Sequence, residues 1–277
     1  VHLIRSEEYL KESFKEVRFD VTAAAVQKFT EDLLIDWVRA AIKKTGIRRL
    51  VCGGGVFMNV KANMLIAQLP EVESIYIMPS GGDESLSIGA ALHYYYQSNN
   101  QENFTPSRLN HLYLGGSITD EDETIKLLKK DNANIEISCP TDIDRVDYIN
   151  NMIKVRDFWM PFAPSIREES ASRYFDDLKN LKPWFMTLGY PVIEEHYNDL
   201  MAASHPRDRT IRPQVVTKEA NPNYHSLISH FESITGRGVI LNTSFNLHGE
   251  PIVYSAKDAV RVFLKSGLNY LALDNYL

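Results

Sequence analysis

Two short apolar segments near the start of the chain each end in a glycine-containing turn and lead into a helix-like stretch. This pattern limits the fold more than any other feature. Arg49 to Cys52 is predicted as a strand that ends at Gly53-Gly54-Gly55, and Ser74 to Met78 as a second buried strand. Strands that alternate with helices are typical of an α/β layer. The sequence therefore predicts an α/β fold here.

A long helix is expected before the first of these strands, from Val21 to Lys44. Apolar residues recur in it at the spacing that places them on one helical face. We expect this face to pack in the core. The face consists of Val26, Phe29, Leu33, Trp37 and Ala41.

The rest of the chain is predicted to form a second, mixed domain. The polar stretch Gln97 to Asn110 is the predicted linker, which places the domains at residues 1–112 and 113–277. Before the linker, Glu84 to Tyr96 is predicted as a helix of the first domain. The elements predicted downstream are helices near Asp142 to Lys154, Tyr224 to Ile234 (capped by Gly236) and Ala256 to Lys265, and strands at Trp184 to Leu188, Thr210 to Val216, Val239 to Leu241 and around Tyr270 to Leu273.

Charge and cysteine content restrict the class of protein. A net charge of −6 without clustered basic residues argues against a protein held to nucleic acid by phosphate neutralisation. Two cysteines give no disulfide framework and no metal-ligand spacing, so we expect a reducing, cytoplasmic compartment. The sequence predicts neither a membrane span nor an export leader. Because it opens at Val1 without Met, we expect a fragment of a longer chain.

Two segments combine charge with positions suited to anions. Pro79 to Asp83 ends a strand and opens a helix, where Asp83 is either an ordinary N-cap or a metal ligand beside a phosphate. Lys154 and Arg156 close a predicted helix beside the apolar segment Trp159 to Pro164. These two cations either offset the helix dipole or bind phosphate.

Two further segments carry polar groups at strand ends. Strand alternation places Arg212 on a polar face, where it forms either a surface ion pair or a bidentate phosphate contact. Pro213 makes this an edge strand. Asn242-Thr243-Ser244-Phe245-Asn246 follows an apolar strand and is either a plain turn or a ligand-binding loop.

The order of these segments resembles that of O-carbamoyltransferases of the nodulation and antibiotic-biosynthesis type, through nearly the whole chain. Its first part resembles the latter half of an actin-like (ASKHA) carbamoyl-transfer domain, and its second part an α+β YrdC-like adenylate-forming domain. The matching segments are Gly53 to Gly55 with Asn59, Pro79 to Asp83 with Gly89 to Ala91, Ile149-Asn150 with Lys154 to Arg156, Pro161 to Pro164, Arg212 to Gln214, and Asn242 to Asn246 with Gly249 to Val253.

The resemblance implies a two-stage reaction with ATP. Carbamoyl phosphate and ATP would give carbamoyl-adenylate, and the carbamoyl group would then pass to a hydroxyl group of a small-molecule acceptor. It implies phosphate-binding and catalytic roles for Lys154, Arg156, Arg212 and Ser244. It implies nucleotide- or cofactor-binding roles for Gly54, Gly55, Asn59, Gly82, Asn242 and Asn246. Ferrous iron is expected at Asp83, and Mg²⁺ with ATP is left open, as is a homodimer.

The sequence departs from the family pattern in two places. The pair of histidines that would complete the metal site belongs to the family's first half, which we expect to lie before Val1. Relatives also carry a glycine- and arginine-rich stretch before Lys154, whereas here Asn134 to Pro140 runs straight into Thr141. We expect a mobile loop of a few tens of residues to be missing between about Asn132 and Pro140.

Two other classes of protein remain open. One is a non-catalytic nucleotide-binding or assembly module of the same fold. The other is a threonylcarbamoyl-transfer protein that acts on tRNA, which the acidic balance makes the weaker alternative. We expect no nucleic-acid partner and no membrane partner.

Overall fold

The computed structural model describes residues 2–98, 109, 111–113, 154, 161–179, 181–268 and 271–273. The chain divides into two compact units, Val1–Asp83 and Glu84–Leu277. Both units combine helices with small sheets. The predicted mixture of α and β structure is therefore confirmed. The predicted domain boundary at residue 112, in contrast, stays a prediction.

The first unit is built around a pair of parallel strands joined through a helix. The strands pair in register, with Leu50 opposite Ile75 and Cys52 opposite Ile77. Parallel strands run in the same direction, so the chain must return from the end of the first strand to the start of the second. A tight turn can join only antiparallel strands, and parallel strands therefore need such a crossover connection. The elements are α1 (His2–Ser13), α2 (Phe19–Thr45), β1 (Arg49–Cys52), a 3₁₀ turn (Gly55–Met58), α3 (Val60–Gln68) and β2 (Ser74–Ile77).

The core of this unit lies between α3 and one face of the strand pair. Ile66 and Ala67 on α3 are fully buried, and Ile75 and Ile77 of β2 are nearly so. Cys52 is also buried, and burial raises the pKa of its thiol to about 11. The thiol is therefore protonated at neutral pH, which argues against a role as a nucleophile.

The face of α2 that was predicted to pack in the core is exposed, so this prediction is wrong. Val26, Phe29, Leu33, Trp37 and Ala41 are exposed, with 60% of Trp37 accessible to solvent. The helix contacts α3 and buries a neighbouring stripe instead. That stripe consists of Glu31, Leu34 and Val38. The helix carries two apolar stripes, and helical periodicity does not say which of them meets the rest of the fold.

The second unit contains a three-stranded mixed sheet. β3 lies in the centre, parallel to β6 and antiparallel to β7. The strands of this unit are β3 (Ala163–Arg167), β4 (Tyr190–Pro191), β5 (Thr210–Ile211), β6 (Gln214–Val216) and β7 (Val239–Asn242). Its longer helices are α4 (Ser85–Ser98), α7 (Pro222–Thr235) and α8 (Ala256–Ser266), and its one-turn helices are α5 (Ala171–Tyr174) and α6 (Tyr197–Leu200).

One face of this sheet is covered by α7 over only part of its width. The strand registers place Ser165, Gln214 and Asn242 on the same face as Val216 and Ile240. Ile228 of α7 packs against Val216 and Ile240, with Tyr224 and Phe231 beside them. At the polar end of the same face, Ser165 is buried, and Gln214 and Asn242 are half-buried. The fold thus presents a row of polar side chains next to the N-terminal turn of α7.

Two predicted strands differ from the structure. Thr210 to Val216 is two short strands, because Pro213 has no N–H to continue one ladder; β5 pairs with β4, and β6 pairs with β3. Trp184 to Leu188 is not a strand. Met186 has φ of 57°, a left-handed conformation that no strand accepts.

The strand predicted around Tyr270 to Leu273 is also absent from its described part, residues 271–273. The other described elements follow the sequence prediction closely. α7 ends at Gly236, whose φ of 75° and hydrogen bond to Glu232 make the predicted cap. α8 begins with a reciprocal Ser255–Asp258 capping box. Most of the predicted linker, the predicted helix before Lys154 and the predicted loop near 132–140 lie outside the described residues. Among the described helices, none combines the length and the hydrophobicity that a membrane span requires.

Candidate functional site

The two glycine turns of the first unit meet at the carboxyl ends of β1 and β2. Gly54 has φ of 101°, which favours glycine, and its carbonyl faces Gly81. A Cβ at Gly81 would lie 3.2 Å from that oxygen. A Cβ at Gly54 or Gly55 would meet no described atom within 4 Å. The glycines therefore allow the two turns to pack together, and a nucleotide role for Gly54, Gly55 and Gly82 stays a prediction.

Asn59 has a structural role in the same unit. Its side chain accepts a hydrogen bond from the backbone N–H of Ala62, 3.1 Å away, and so caps α3. The same amide exchanges two hydrogen bonds with the Gln27 amide, at 3.1 and 2.9 Å. Asn59 therefore joins α2 to α3. Its predicted contact with a nucleotide stays a prediction.

Asp83, the predicted metal ligand, is exposed at the end of the first unit. Within the described ranges, no group of three His, Cys, Asp or Glu side chains is arranged to hold a metal ion. A single carboxylate does not make an iron site, which needs several ligands in fixed geometry. The described residues alone therefore do not fit the expected iron.

The second unit brings together three of the predicted site residues. Lys154 is 3% exposed, and its Nζ donates to Ser244 Oγ at 2.8 Å and to Asn246 Oδ1 at 2.5 Å. Ser244 Oγ also donates to Asn246 Oδ1 at 2.8 Å. Lys154 lies about ninety positions away in sequence, so only the tertiary fold creates this cluster. We call Lys154, Ser244 and Asn246 the lysine cluster.

The orientation of Asn246 follows from its second set of contacts. Its Nδ2 donates to the carbonyl oxygens of Leu247 and Glu250, at 3.1 and 2.7 Å. Only the amide nitrogen can donate to a carbonyl, so Oδ1 must face Lys154. Glu250 is itself paired with Arg261 of α8 at 2.6 Å. The loop after β7 is therefore fixed in the geometry that holds the ammonium group.

The lysine cluster is suited to binding an anion. A cation held in a largely buried position interacts more strongly with phosphate than one in water. Ser244 and Asn246 bind this cation through neutral oxygens and fix its position. Arg212 lies between β5 and β6 and is exposed, in agreement with its predicted position on a polar strand face. Arg156 lies outside the described residues.

Three polar residues, one from each strand of the sheet, form a second set of hydrogen bonds, and we call Gln214, Ser165 and Asn242 the polar row. Gln214 Oε1 accepts hydrogen bonds from Ser165 Oγ and from Asn242 Nδ2, each 2.9 Å long. Ser165 is fully buried. Asn242 was predicted as a site residue, whereas Ser165 and Gln214 were not. The signal for them is strand register, which a single sequence does not show.

A hydrogen-bond contact between His225 and Glu169 ties α7 to the segment that follows β3. His225 Nε2 lies 2.9 Å from Glu169 Oε2. Burial raises the pKa of Glu169, but the hydrogen bond from His225, a backbone hydrogen bond, and the charges of His225 and Arg167 together hold it below the ordinary value of 4.5. A carboxyl group whose pKa is lower in the folded than in the unfolded protein stabilises the folded state at pH values above its pKa in the unfolded protein. That stabilisation is lost as the pH falls through its pKa in the folded protein.

We therefore expect Glu169→Gln to reduce the acid sensitivity of this unit. Between about pH 6 and about pH 3, the wild-type melting temperature should fall further than that of the variant, because only the wild type has this carboxylate to protonate. Thermal unfolding followed by circular dichroism across that range measures the difference. Equal losses in the two proteins would contradict the prediction.

Comparisons with known proteins match both parts of the chain. The family model for the carbamoyltransferase N-terminus matches residues 3–92, and that for the carbamoyltransferase C-terminus matches residues 136–277. An uncharacterized Methanocaldococcus jannaschii protein is 28% identical over 99% of this chain and 51% of its own length. Nodulation protein NolNO of Sinorhizobium fredii is 30% identical over 92% of this chain and 43% of its own length.

A shorter match covers part of a named enzyme. The 3'-hydroxymethylcephem-O-carbamoyltransferase of Streptomyces clavuligerus is 33% identical over 40% of this chain and 20% of its own length. The chain spans about half the length of the relatives that it matches over most of its own residues.

Proposed function

Because the chain belongs to the carbamoyltransferase family, we propose that it takes part in the ATP-dependent transfer of a carbamoyl group to a hydroxyl group of a small-molecule acceptor. The acceptor class is supported by the O-carbamoyltransferase among the relatives. We also propose that the first part of the chain corresponds to a portion of an actin-like domain and the second to a YrdC-like domain.

The proposed chemistry of the second part is the formation of carbamoyl-adenylate. Water would first hydrolyse carbamoyl phosphate to carbamate and inorganic phosphate. A carbamate oxygen would then bond to the α-phosphorus of ATP, and the bond from that phosphorus to pyrophosphate would break. Negative charge develops on the leaving pyrophosphate in this step. A preorganised cation at that position stabilises the transition state without the cost of reorganising solvent.

Each residue of the lysine cluster has a distinct part in this proposal. Lys154 would bind the phosphate groups with its ammonium. Asn246, fixed by the carbonyls of Leu247 and Glu250, would hold that ammonium in place. Ser244, 2.8 Å from Lys154 Nζ, would orient the ligand through its hydroxyl. Arg212 would supply a second cation, and Arg156 a third.

One observation carries the proposal. Lys154 comes from a distant part of the chain, yet it forms a connected set of hydrogen bonds with Ser244 and Asn246. A surface lysine in its ordinary role would be solvated rather than 3% exposed. The burial of Lys154, with its ammonium group held by Ser244 and Asn246, supports an anion-binding role for the cluster.

Pyrophosphate release from ATP in the presence of carbamoyl phosphate tests the proposal directly. We expect the wild-type chain to release pyrophosphate only when both substrates are present. Arg212→Ala should lower this rate by roughly 10- to 100-fold, since it removes a charge-assisted contact worth about 1.5–3 kcal/mol. Arg207→Ala, which removes another exposed arginine nearby, should leave the rate unchanged.

The other classes of protein give different results in the same experiment. Binding of ATP by folded protein without pyrophosphate release would favour a non-catalytic nucleotide-binding module. Retention of tRNA at moderate salt would favour a threonylcarbamoyl-transfer protein. The second stage, with ferrous iron at Asp83, stays a prediction.

A further inference from the structure

The turn from Leu247 to Glu250 holds the side-chain amide of Asn246 in the lysine cluster. The backbone N–H of Glu250 donates to the carbonyl oxygen of Leu247 at 3.0 Å, which closes the turn. The carbonyl oxygens of the same two residues accept hydrogen bonds from Asn246 Nδ2, at 3.1 and 2.7 Å. Asn246 Oδ1 accepts from Lys154 Nζ. The position of this turn therefore decides where the amide meets the ammonium group.

The turn is attached to the rest of the unit through the side chain of Glu250. Its Oε2 accepts a hydrogen bond from Arg261 Nη1 at 2.6 Å. Both side chains are only partly exposed, with 32% of Glu250 and 39% of Arg261 accessible to solvent. A charge-assisted hydrogen bond is stronger than one between neutral groups, and partial burial reduces its screening by water and salt. The ion pair is therefore suited to fixing the turn.

Arg261 belongs to a helix that is itself anchored in the core. α8 begins with the Ser255–Asp258 capping box, and the residues on either side of Arg261, Val260 and Val262, are buried. Because protein cores are closely packed, a helix with a buried apolar face is held at one position and rotation. Arg261 therefore connects a firmly packed helix to the loop of the lysine cluster.

These contacts join α8 to the lysine ammonium in two steps. Arg261 binds the carboxylate of Glu250, and the carbonyl oxygen of Glu250 accepts from the Asn246 amide. The oxygen of that amide accepts from Lys154 Nζ. Displacement of a functional group by about 1 Å can slow a reaction by as much as ~100-fold, even when the substituted residue is remote. A residue two contacts away can thus control how well the cation is placed.

We propose that Arg261 is a positioning residue that sets the place of the Lys154 ammonium by holding the turn at Glu250; its effect on the reaction rests on the proposed function. Without the ion pair, the turn and its carbonyl groups gain freedom, and the ammonium is no longer fixed before an anion binds. Preorganisation lowers the cost of binding and of stabilising developing charge. Loss of Arg261 therefore weakens anion binding and slows pyrophosphate release.

Arg261→Met and Lys265→Met form a matched pair that tests this role. Each removes one positive charge from α8, but Lys265 is exposed and lies one turn further along the helix. Inorganic tripolyphosphate should bind Arg261→Met about 3- to 10-fold more weakly than the wild type and should bind Lys265→Met equally well. Pyrophosphate release should fall about 3- to 30-fold in Arg261→Met alone. Arg261→Lys, which keeps the charge, should recover most of the affinity.

A second comparison shows whether Arg261 acts through Glu250. Glu250→Gln keeps the backbone carbonyl that holds Asn246 but removes the charge that binds Arg261. In the Glu250→Gln background, Arg261→Met should therefore change tripolyphosphate affinity by less than about twofold. Isothermal titration at one ionic strength gives these affinities, and circular dichroism confirms that each variant is folded. The full loss in that background would overturn the proposal.

The position of Lys154 itself can be followed in protein labelled with ¹³C at the lysine ε-carbons. The signal that is missing from the spectrum of Lys154→Met identifies Lys154. In Arg261→Met this signal should move toward those of the exposed lysines, whereas in Lys265→Met it should stay in place. A merely stabilising role for Arg261 would leave it unmoved in both folded variants, and that result would overturn the proposal.

The same proteins separate this proposal from the proposed function. If the Lys154 signal and the tripolyphosphate affinity change in Arg261→Met but the wild type releases no pyrophosphate, the positioning role stands and the adenylate chemistry fails. If the wild type releases pyrophosphate but Arg261→Met changes neither the signal nor the affinity, the adenylate chemistry stands and the positioning role fails.

Discussion

Replacement of Lys154 by methionine should lower carbamoyl-phosphate-dependent pyrophosphate release by about 10²- to 10³-fold, the range seen when one preorganised group that stabilises transition-state charge is removed. Methionine keeps an unbranched apolar stem of similar length but has no charge. The reaction would then proceed without the buried cation that Ser244 and Asn246 hold in position. Pyrophosphate measured at saturating ATP and carbamoyl phosphate gives the rate.

Stability should change far less than activity in this variant. Ser244 Oγ still donates to Asn246 Oδ1, and Asn246 Nδ2 still donates to two backbone carbonyls, so these polar groups keep partners. Lys257→Met, at an exposed position of α8, is the matched control and should affect neither property. A folded Lys154→Met protein with wild-type release would contradict the role assigned to Lys154.

Local features of the fold could be predicted from the sequence. Periodicity and capping residues gave α2, α7 and α8 to within a few residues, and the glycine at 236 ended α7 as expected. These features depend on neighbours within a few positions, which a single sequence shows. The lysine cluster was also anticipated, because the resemblance supplied the order of its motifs.

Features that depend on distant contacts could not be predicted in the same way. Both stripes of α2 are apolar enough to pack, and the structure buries Leu34 and Val38 rather than Phe29 and Trp37. The polar row requires the register of three strands from separate parts of the chain. Local propensity does not determine register, so the role of Ser165 was not visible before the fold was known.

The central strand that carries Ser165 should also be the most sensitive part of the second unit to truncation. Ile166 is fully buried, and the alternation along β3 places it on the face opposite Ser165. Ile166→Ala should lower the free energy of unfolding by about 2–5 kcal/mol, since it removes buried methyl groups and leaves a cavity. Ile166→Val, the matched control, should cost only about 0.5–1.5 kcal/mol. Denaturant unfolding followed by tryptophan fluorescence measures both.

The same variant tests whether the polar row depends on the core beneath it. Because Ile166 and Ser165 point to opposite faces, the cavity opens away from Gln214 and Asn242. At a temperature where Ile166→Ala is fully folded, its affinity for ATP should therefore equal that of the wild type. A marked loss of ATP affinity in the folded variant would mean that the row is held by packing across the sheet rather than by its own hydrogen bonds at Gln214. If Ile166→Ala lowered the free energy of unfolding by no more than Ile166→Val does, the neighbouring side chains of the sheet core would have filled the space left by the missing methyl groups.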